Sequence, residues 1–154
     1  MLQVLLGRLL SPRVVRLIVY WTSTRFTAGS LVVWVVDNRV LLVRNGYGER
    51  AWGFPGGVMN RSEDPVDCAV RELREETGID VAAEELTLLG THTQRAARHI
   101  DHVYRLDRIA DDGPDAVATG RFEIAEIQWW PLDALPVLRR EADDVVDRYL
   151  FPTA

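Results

Sequence analysis

The stretch from Gly57 to Ile79, GVMNRSEDPVDCAVRELREETGI, constrains this chain more than any other. Pro65 suits a first helical turn, where its missing N–H costs nothing, and Asp64 before it is a helix N-cap residue type. Gly78 is the residue type that ends helices in a left-handed conformation. The spacing therefore predicts a helix between Asp64 and Gly78. Val66, Ala69, Val70, Leu73 and Thr77 recur at three- and four-residue steps along it, so one stripe faces a core. Glu72, Glu75 and Glu76 stand at i, i+3 and i+4 beside that stripe, which brings their carboxylates together. Clustered carboxylates repel and raise each other's pKa unless a cation sits among them. A hard divalent cation with oxygen ligands, Mg²⁺ or Mn²⁺, suits such a cluster. Arg71 can pair with Glu75 one turn on and hold it in place. The competing reading is a solvated helix face stitched by Asp67–Arg71 and Arg71–Glu75 pairs. The glycine-rich loop before the helix and Gly78 after it favour the metal site.

Gly57, five residues, Glu63, seven residues, Arg71-Glu72-Leu73, Arg74, Glu75-Glu76, Thr77 and Gly78-Ile79 resemble the signature of the Nudix hydrolases at every fixed position. The resemblance covers this box and the lead-in Ala51-Trp52-Gly53-Phe54-Pro55-Gly56 specifically, and the remaining chain in outline. It implies an α/β fold, the Nudix-type α/β/α sandwich with a mixed β-sheet. It implies a hydrolase that cleaves the pyrophosphate bond of a nucleoside diphosphate linked to another moiety, with Mg²⁺ or Mn²⁺ as cofactor. Glu72, Glu75 and Glu76 would hold the metal, the Gly57 carbonyl would add a ligand, and Arg71 would orient the glutamates, with Glu63 in a structural role. Family members commonly place a further glutamate before the last strand. Glu123 and Glu126 are the two that could serve as general base here, and Glu123 is favoured because a loop carboxylate can close over the site. No lysine occurs in the chain, so arginine must grip phosphate. Arg44, Arg50 and Arg98, with Arg95 beside the last, are the candidates. Markers of individual substrate subclasses are mostly missing, and the leading expectation is a nucleoside triphosphate or a nucleotide-sugar. Two rivals stand beside it. One is a nucleotide-sensing module without catalysis, the other a membrane-peripheral hydrolase of lipid-linked diphosphates. Sensing modules usually lose box glutamates, and none is lost here.

A chain of 154 residues is long enough for one domain with a sizeable core. Its net charge of −5 argues against general nucleic-acid binding through a basic surface. The only cysteine, Cys68, permits no internal disulfide, which suits a reducing cytoplasm. Helical geometry puts it beside the carboxylates and away from the Leu73 stripe, where negative neighbours should raise its pKa. No apolar run approaches the roughly 18 residues of a membrane span.

Residues 1–26 carry Arg8, Arg13, Arg16 and Arg25 and no acid. Ser11-Pro12 predicts the start of a helix there. This extension is read in three ways: helices packed on the domain or in a homodimer interface, a membrane-surface amphipathic segment, or a signal. The Nudix-like domain would then occupy residues 27–154. Ala28–Asp37 and Arg39–Arg44 predict a hairpin turning at Asp37-Asn38, and Asn45–Arg50 a loop reaching over the site. Trp52 and Phe54 are expected to pack rather than stack on a ligand. Leu86–Gln94, His99–Ile109 and Ile127–Pro131 predict strands, with Ile100, His102, Tyr104 and Leu106 on one face of the second. His99 and His102 fall on opposite faces, against a shared metal. Asp111–Asp115 is a predicted solvated turn. Pro136–Leu150 predicts a closing helix.

Overall fold

The computed structural model describes residues 11–46, 50–108 and 124–151. In chain order these form α1 (Pro12–Thr22), β1 (Thr27–Val33), β2 (Val35–Val36), β3 (Arg39–Asn45), β4 (Trp52–Gly53), β5 (Gly56–Val58), α2 (Pro65–Thr77), β6 (Leu86–Gln94), β7 (His99–Leu106), β8 (Ile124–Pro131) and α3 (Arg140–Val145). Glu123 and the Asp111–Asp115 turn lie outside the described residues, as do Tyr47, Gly48 and Glu49 of the expected loop.

Strands β5, β1, β7 and β6 make one sheet in that order, mixed because β1 and β7 run parallel while the other pairs are antiparallel. Strands β2, β3 and β4 make a second, with β8 also on β3. Val40, Leu41, Leu42 and Val43 are all buried, as are Leu31, Val32 and Val33. Such unbroken apolar runs belong to strands covered on both faces. On one side Leu31, Val33, Leu42, Phe54 and Val103 pack against Ala142, Val145 and Val146. On the other Val32, Leu41, Tyr104 and Trp129 pack against Ala69 and Leu73 of α2. Helices on both faces of the strands give the expected α/β/α sandwich.

Several boundaries differ from the sequence reading. The long valine strand is split at Trp34, whose ring packs edge-on to Trp129 at 5.0 Å and whose Nε1–H donates to the Arg108 carbonyl at 2.9 Å. Only β2 enters the hairpin with β3, whose turn has positive φ at Asp37 (48°) and Asn38 (60°), the twist-matched geometry for a two-residue connection. β7 stops at Leu106, and it buries Asp101 and Val103 as well as Tyr104 and Leu106, so neither of its faces is open. The closing helix begins at Arg140, not Pro136. Val137–Arg139 run extended beside β4 instead, with Trp52 N–H donating to Val137 O at 3.0 Å and Arg139 N–H to Trp52 O at 2.7 Å. A two-residue strand with an open edge offers ladder bonds that local helical periodicity does not register. After Val145 the helix widens into a π turn over Val146–Leu150.

Helix α1 starts at Pro12 behind Ser11 as expected, yet none of its residues is buried. In this structure the helix therefore buries no residue in the domain's core.

Candidate active site

The site is built where α2 crosses β5. Helix α2 runs Pro65–Thr77 between Asp64 and Gly78, the latter at φ 73° with its N–H bonded to Arg74 O at 2.9 Å. Ala69, Leu73 and Thr77 are buried, and the Ser30 hydroxyl donates to Pro65 O at 2.6 Å, pinning the first turn to β1. The helix is thereby held with Glu72 and Glu76 over the Gly56-Gly57 backbone. Gly56 adopts φ 152°, and a Cβ there would overlap the Ser30 carbonyl, so only glycine fits. Its N–H donates to Glu76 Oε2 at 2.8 Å. A Cβ on Gly57 would stand 2.5 Å from Glu72 Oε1. The missing side chain is the space that Glu72 occupies.

Arg71 ties the rest together. Its Nε and Nη2 donate to the two oxygens of Glu63 at 2.8 and 2.9 Å, a two-pronged pair. Nη1 reaches Glu72 at 2.6 Å and Glu75 at 3.2 Å, and Nη2 also reaches the Val58 carbonyl at 3.2 Å. Glu63 accepts the Asn60 N–H at 2.7 Å as well. The Arg71 guanidinium, and then that N–H, hold the Glu63 carboxyl down to about 2. Arg71 is pushed further above its already high value by the Glu63 carboxylate. Burial pushes the Glu72 carboxyl up, against the pull of Arg71.

The NUDIX domain family matches residues 25–153 of this chain, most of its length. The chain belongs to the Nudix family. Among curated relatives, mRNA decapping complex subunit 2 of Schizosaccharomyces pombe is 29% identical over 119 residues, 73% of this chain but 15% of that protein. Diphosphoinositol polyphosphate phosphohydrolase 2 of Homo sapiens is 35% identical over 106 residues, 67% of this chain and 56% of that protein. The chain thus spans well under two thirds of these relatives' lengths. Among solved structures, a MutT NUDIX hydrolase from Burkholderia pseudomallei is 25% identical, with a TM-score of 0.68, covering 82% of this chain and 99% of that one.

In this structure the three box glutamates take different partners. Glu72 lies against Gly57 and Glu76 accepts the Gly56 N–H, while Glu75 turns to Arg71 and its side chain is 44% exposed. Among the described residues no three His, Cys, Asp or Glu side chains are gathered closely enough to hold an ion. Three like charges at i, i+3 and i+4 spread apart and take the nearest donors, here Arg71 and the Gly56 N–H. The donor set itself fits a hard cation. It consists of oxygens alone, from Glu72, Glu76 and the Gly57 carbonyl, with Glu72 seated in a partly desolvated place where added positive charge would offset its burial.

The outlying candidates sit in different places. Arg44 is paired with Glu126 across β3 and β8, and its guanidinium lies 5.5 Å from the Trp52 ring. Glu126 as a base would first have to leave Arg44. Arg50 lies exposed two residues before β4. Arg98, at φ 52°, is in the turn joining β6 to β7 and near Thr27, whose N–H bonds its carbonyl at 2.9 Å. Trp52 and Phe54 are core residues, as expected. Cys68 is fully buried rather than merely beside the carboxylates, with its Sγ 3.6 Å from the Gly57 carbonyl and 3.5 Å from Arg71 Nη2. Its thiol is pushed up, but burial is the leading cause and the neighbouring carboxylates are secondary.

Sequence reasoning missed one neighbour of the site. A Cβ on Gly29 would meet the Gly57 carbonyl at 2.6 Å, His99 Nε2 at 2.9 Å and Asp101 Oδ1 at 3.1 Å. His99 and Asp101 are 2.8 Å apart, and Asp101 also accepts from Gln94 at 2.9 Å. The i, i+2 spacing on one strand face was legible, but the β1–β7 register that sets the pair opposite Gly29 was not. His102 is on the other face, 3.2 Å from the Gly29 carbonyl.

Proposed function

We propose that this chain is a Mg²⁺- or Mn²⁺-dependent pyrophosphohydrolase acting on a nucleoside diphosphate linked to another moiety, of nucleoside triphosphate or nucleotide-sugar type. The observation that carries the reading is the seating of Glu72 and Glu76 on the Gly57 and Gly56 backbone while Arg71 is clamped by Glu63. Glu72, Glu76 and the Gly57 carbonyl would hold the metal, with Glu75 free to swing from Arg71. When bound, a divalent ion neutralises the diphosphate and makes water more acidic. The chain's own part is positional. Gly56 and Gly57 let backbone approach the reacting phosphate, α2 holds Glu72 and Glu76 against adjacent residues of β5, and Arg71 fixes the orientation of Glu72. A carboxylate must take the proton of the attacking water; Glu123 is our candidate, with Glu126 behind it. Arg44, after release from Glu126, Arg50 and Arg98 are the proposed phosphate grips. The single buried cysteine supports a reducing, cytoplasmic setting.

The names of the relatives add two substrate classes to test, capped RNA and diphosphoinositol polyphosphate. The experiment is a panel of nucleoside triphosphates, nucleotide-sugars, capped dinucleotide and diphosphoinositol compounds, incubated with Mg²⁺ or Mn²⁺ in ¹⁸O-water and resolved by mass. Two phosphorylated products, one carrying ¹⁸O, are expected from the true substrate. Tight binding of a nucleotide with no cleavage of any compound would support the sensing module instead.

A further inference from the structure

Helix α1 is unused by the hydrolytic reading and its surface is unlike that of the domain. Val14, Leu17, Ile18 and Trp21 stand at i, i+3, i+4 and i+7 and form one stripe. All four are exposed, Trp21 at 72% and Leu17 at 57%. Arg13, Arg16 and Tyr20 run along one flank of that stripe, Val19, itself 43% exposed, lies further round the helix, and the Arg25 guanidinium sits 4.4 Å from the Tyr20 ring. Soluble domains rarely leave a contiguous apolar stripe of this kind uncovered.

Charge is segregated in the same way. Residues 1–26 contain four arginines and no acid, so they carry +4. The remaining 14 arginines and 23 acids give the rest of the chain −9, and the two sum to the −5 of the whole. An acidic domain tethered to a basic, apolar helix matches an anionic bilayer through that helix alone. Eleven residues span roughly 16 Å, too short for the ~30 Å hydrocarbon layer. No helix among the described residues is long and apolar enough to cross a membrane. Lying in the headgroup plane is the geometry left to an apolar stripe flanked by arginine, with aromatic residues at one end. A second copy of the chain fits less well. Stripe against stripe would bring the arginines of both copies together. Outside residues 11–26, the large exposed apolar residues among those described, Val58, Leu88, Val137 and Phe151, lie far apart in the chain and form no helical stripe to match.

We propose that residues 11–26 are a membrane-surface anchor, with Val14, Leu17, Ile18 and Trp21 inserted into an anionic lipid bilayer and Arg13, Arg16 and Arg25 on its headgroup phosphates. The proposal is independent of which diphosphate the domain cleaves.

The test is flotation of the full chain with vesicles of phosphatidylcholine alone or mixed with about 30 mol% phosphatidylserine. The wild type should float with the mixed vesicles, and less so as salt rises to about 0.5 M, where screening shortens the attraction. Replacing Arg13, Arg16 and Arg25 by alanine together should weaken that binding about a hundredfold, roughly fivefold per arginine. Leu17→Glu with Trp21→Glu should abolish it and leave the melting temperature unchanged, because no buried contact is lost. Absence of wild-type binding, or equal binding by all variants, would overturn the anchor. So would sedimentation showing a lipid-free wild-type dimer that the double glutamate variant splits, since the stripe would then belong to a second copy.

Discussion

Gly57→Ala separates a seat for Glu72 from a mere turn residue. Gly57 has no left-handed φ, so alanine brings no backbone strain there. Its Cβ would meet three atoms of one flexible carboxylate, Oε1 at 2.5 Å, Cδ at 2.6 Å and Oε2 at 2.8 Å. Ordinary van der Waals contact begins at 3.4 Å, so the nearest oxygen must retreat by the difference between 3.4 and 2.5, about 0.9 Å. A misplacement near 1 Å at a reacting centre costs on the order of a hundredfold in rate. The stability cost should stay at roughly 1–2 kcal/mol, because the displaced group is the end of a side chain. The assay pairs kcat/KM on a cleaved diphosphate with thermal unfolding. The expected result is a folded protein with about a hundredfold less activity. Gly56→Ala is the control, where the added Cβ would meet the Ser30 backbone and the φ is forbidden, and it should lose the fold itself. Full activity in Gly57→Ala would refute the claim that the Glu72 position matters.

Other predictions follow from the same residues. Glu63→Gln removes a two-pronged partner of Arg71 and should lower stability by about 1–2 kcal/mol, or roughly 3–6 °C in Tm at neutral pH. Because the folded-state pKa of Glu63 is depressed from 4.5 to about 2, its contribution is present above pH 4.5 and lost as pH falls toward 2. The gap between wild type and Glu63→Gln in thermal melts should therefore close across that window; a gap that persists at the acid end would contradict the pairing. Cys68, fully buried with its thiol pushed up by burial, should alkylate slowly at neutral pH in the native protein, and rapid modification would show that the box helix is not packed as described. If Glu123 is the base, Glu123→Gln should lose the acidic limb of the kcat–pH profile while Glu126→Gln keeps it; retention in both would move the role to Glu75 or Glu76.

Helix α2 was legible because its signals are local. Pro65, Gly78 and the Ala69–Leu73–Thr77 stripe lie within one helix and need no partner to be read. The central strands were legible as apolar runs for the same reason. What escaped depends on contacts distant in sequence. Trp34 breaks its strand because Trp129 and the Arg108 carbonyl claim it. Val137–Arg139 leave the helical pattern because β4 has a free edge. Within the site, Arg71 to Glu75 was expected from a one-turn spacing. The stronger pairing with Glu63, on the loop before the helix, was not expected. The seats of Glu72 and Glu76 on Gly57 and Gly56 likewise depend on how α2 crosses β5, which no periodicity encodes.

The most direct test of the hydrolytic site is turnover by Glu76→Gln at saturating Mg²⁺ beside the wild type. Glutamine keeps a carbonyl oxygen that can still accept the Gly56 N–H, so the fold should survive while the negative charge is lost. Loss of a charged metal ligand is expected to raise the barrier by about 4 kcal/mol, on the order of a thousandfold in kcat, with circular dichroism unchanged. A folded Glu76→Gln protein turning over at the wild-type rate would contradict the account.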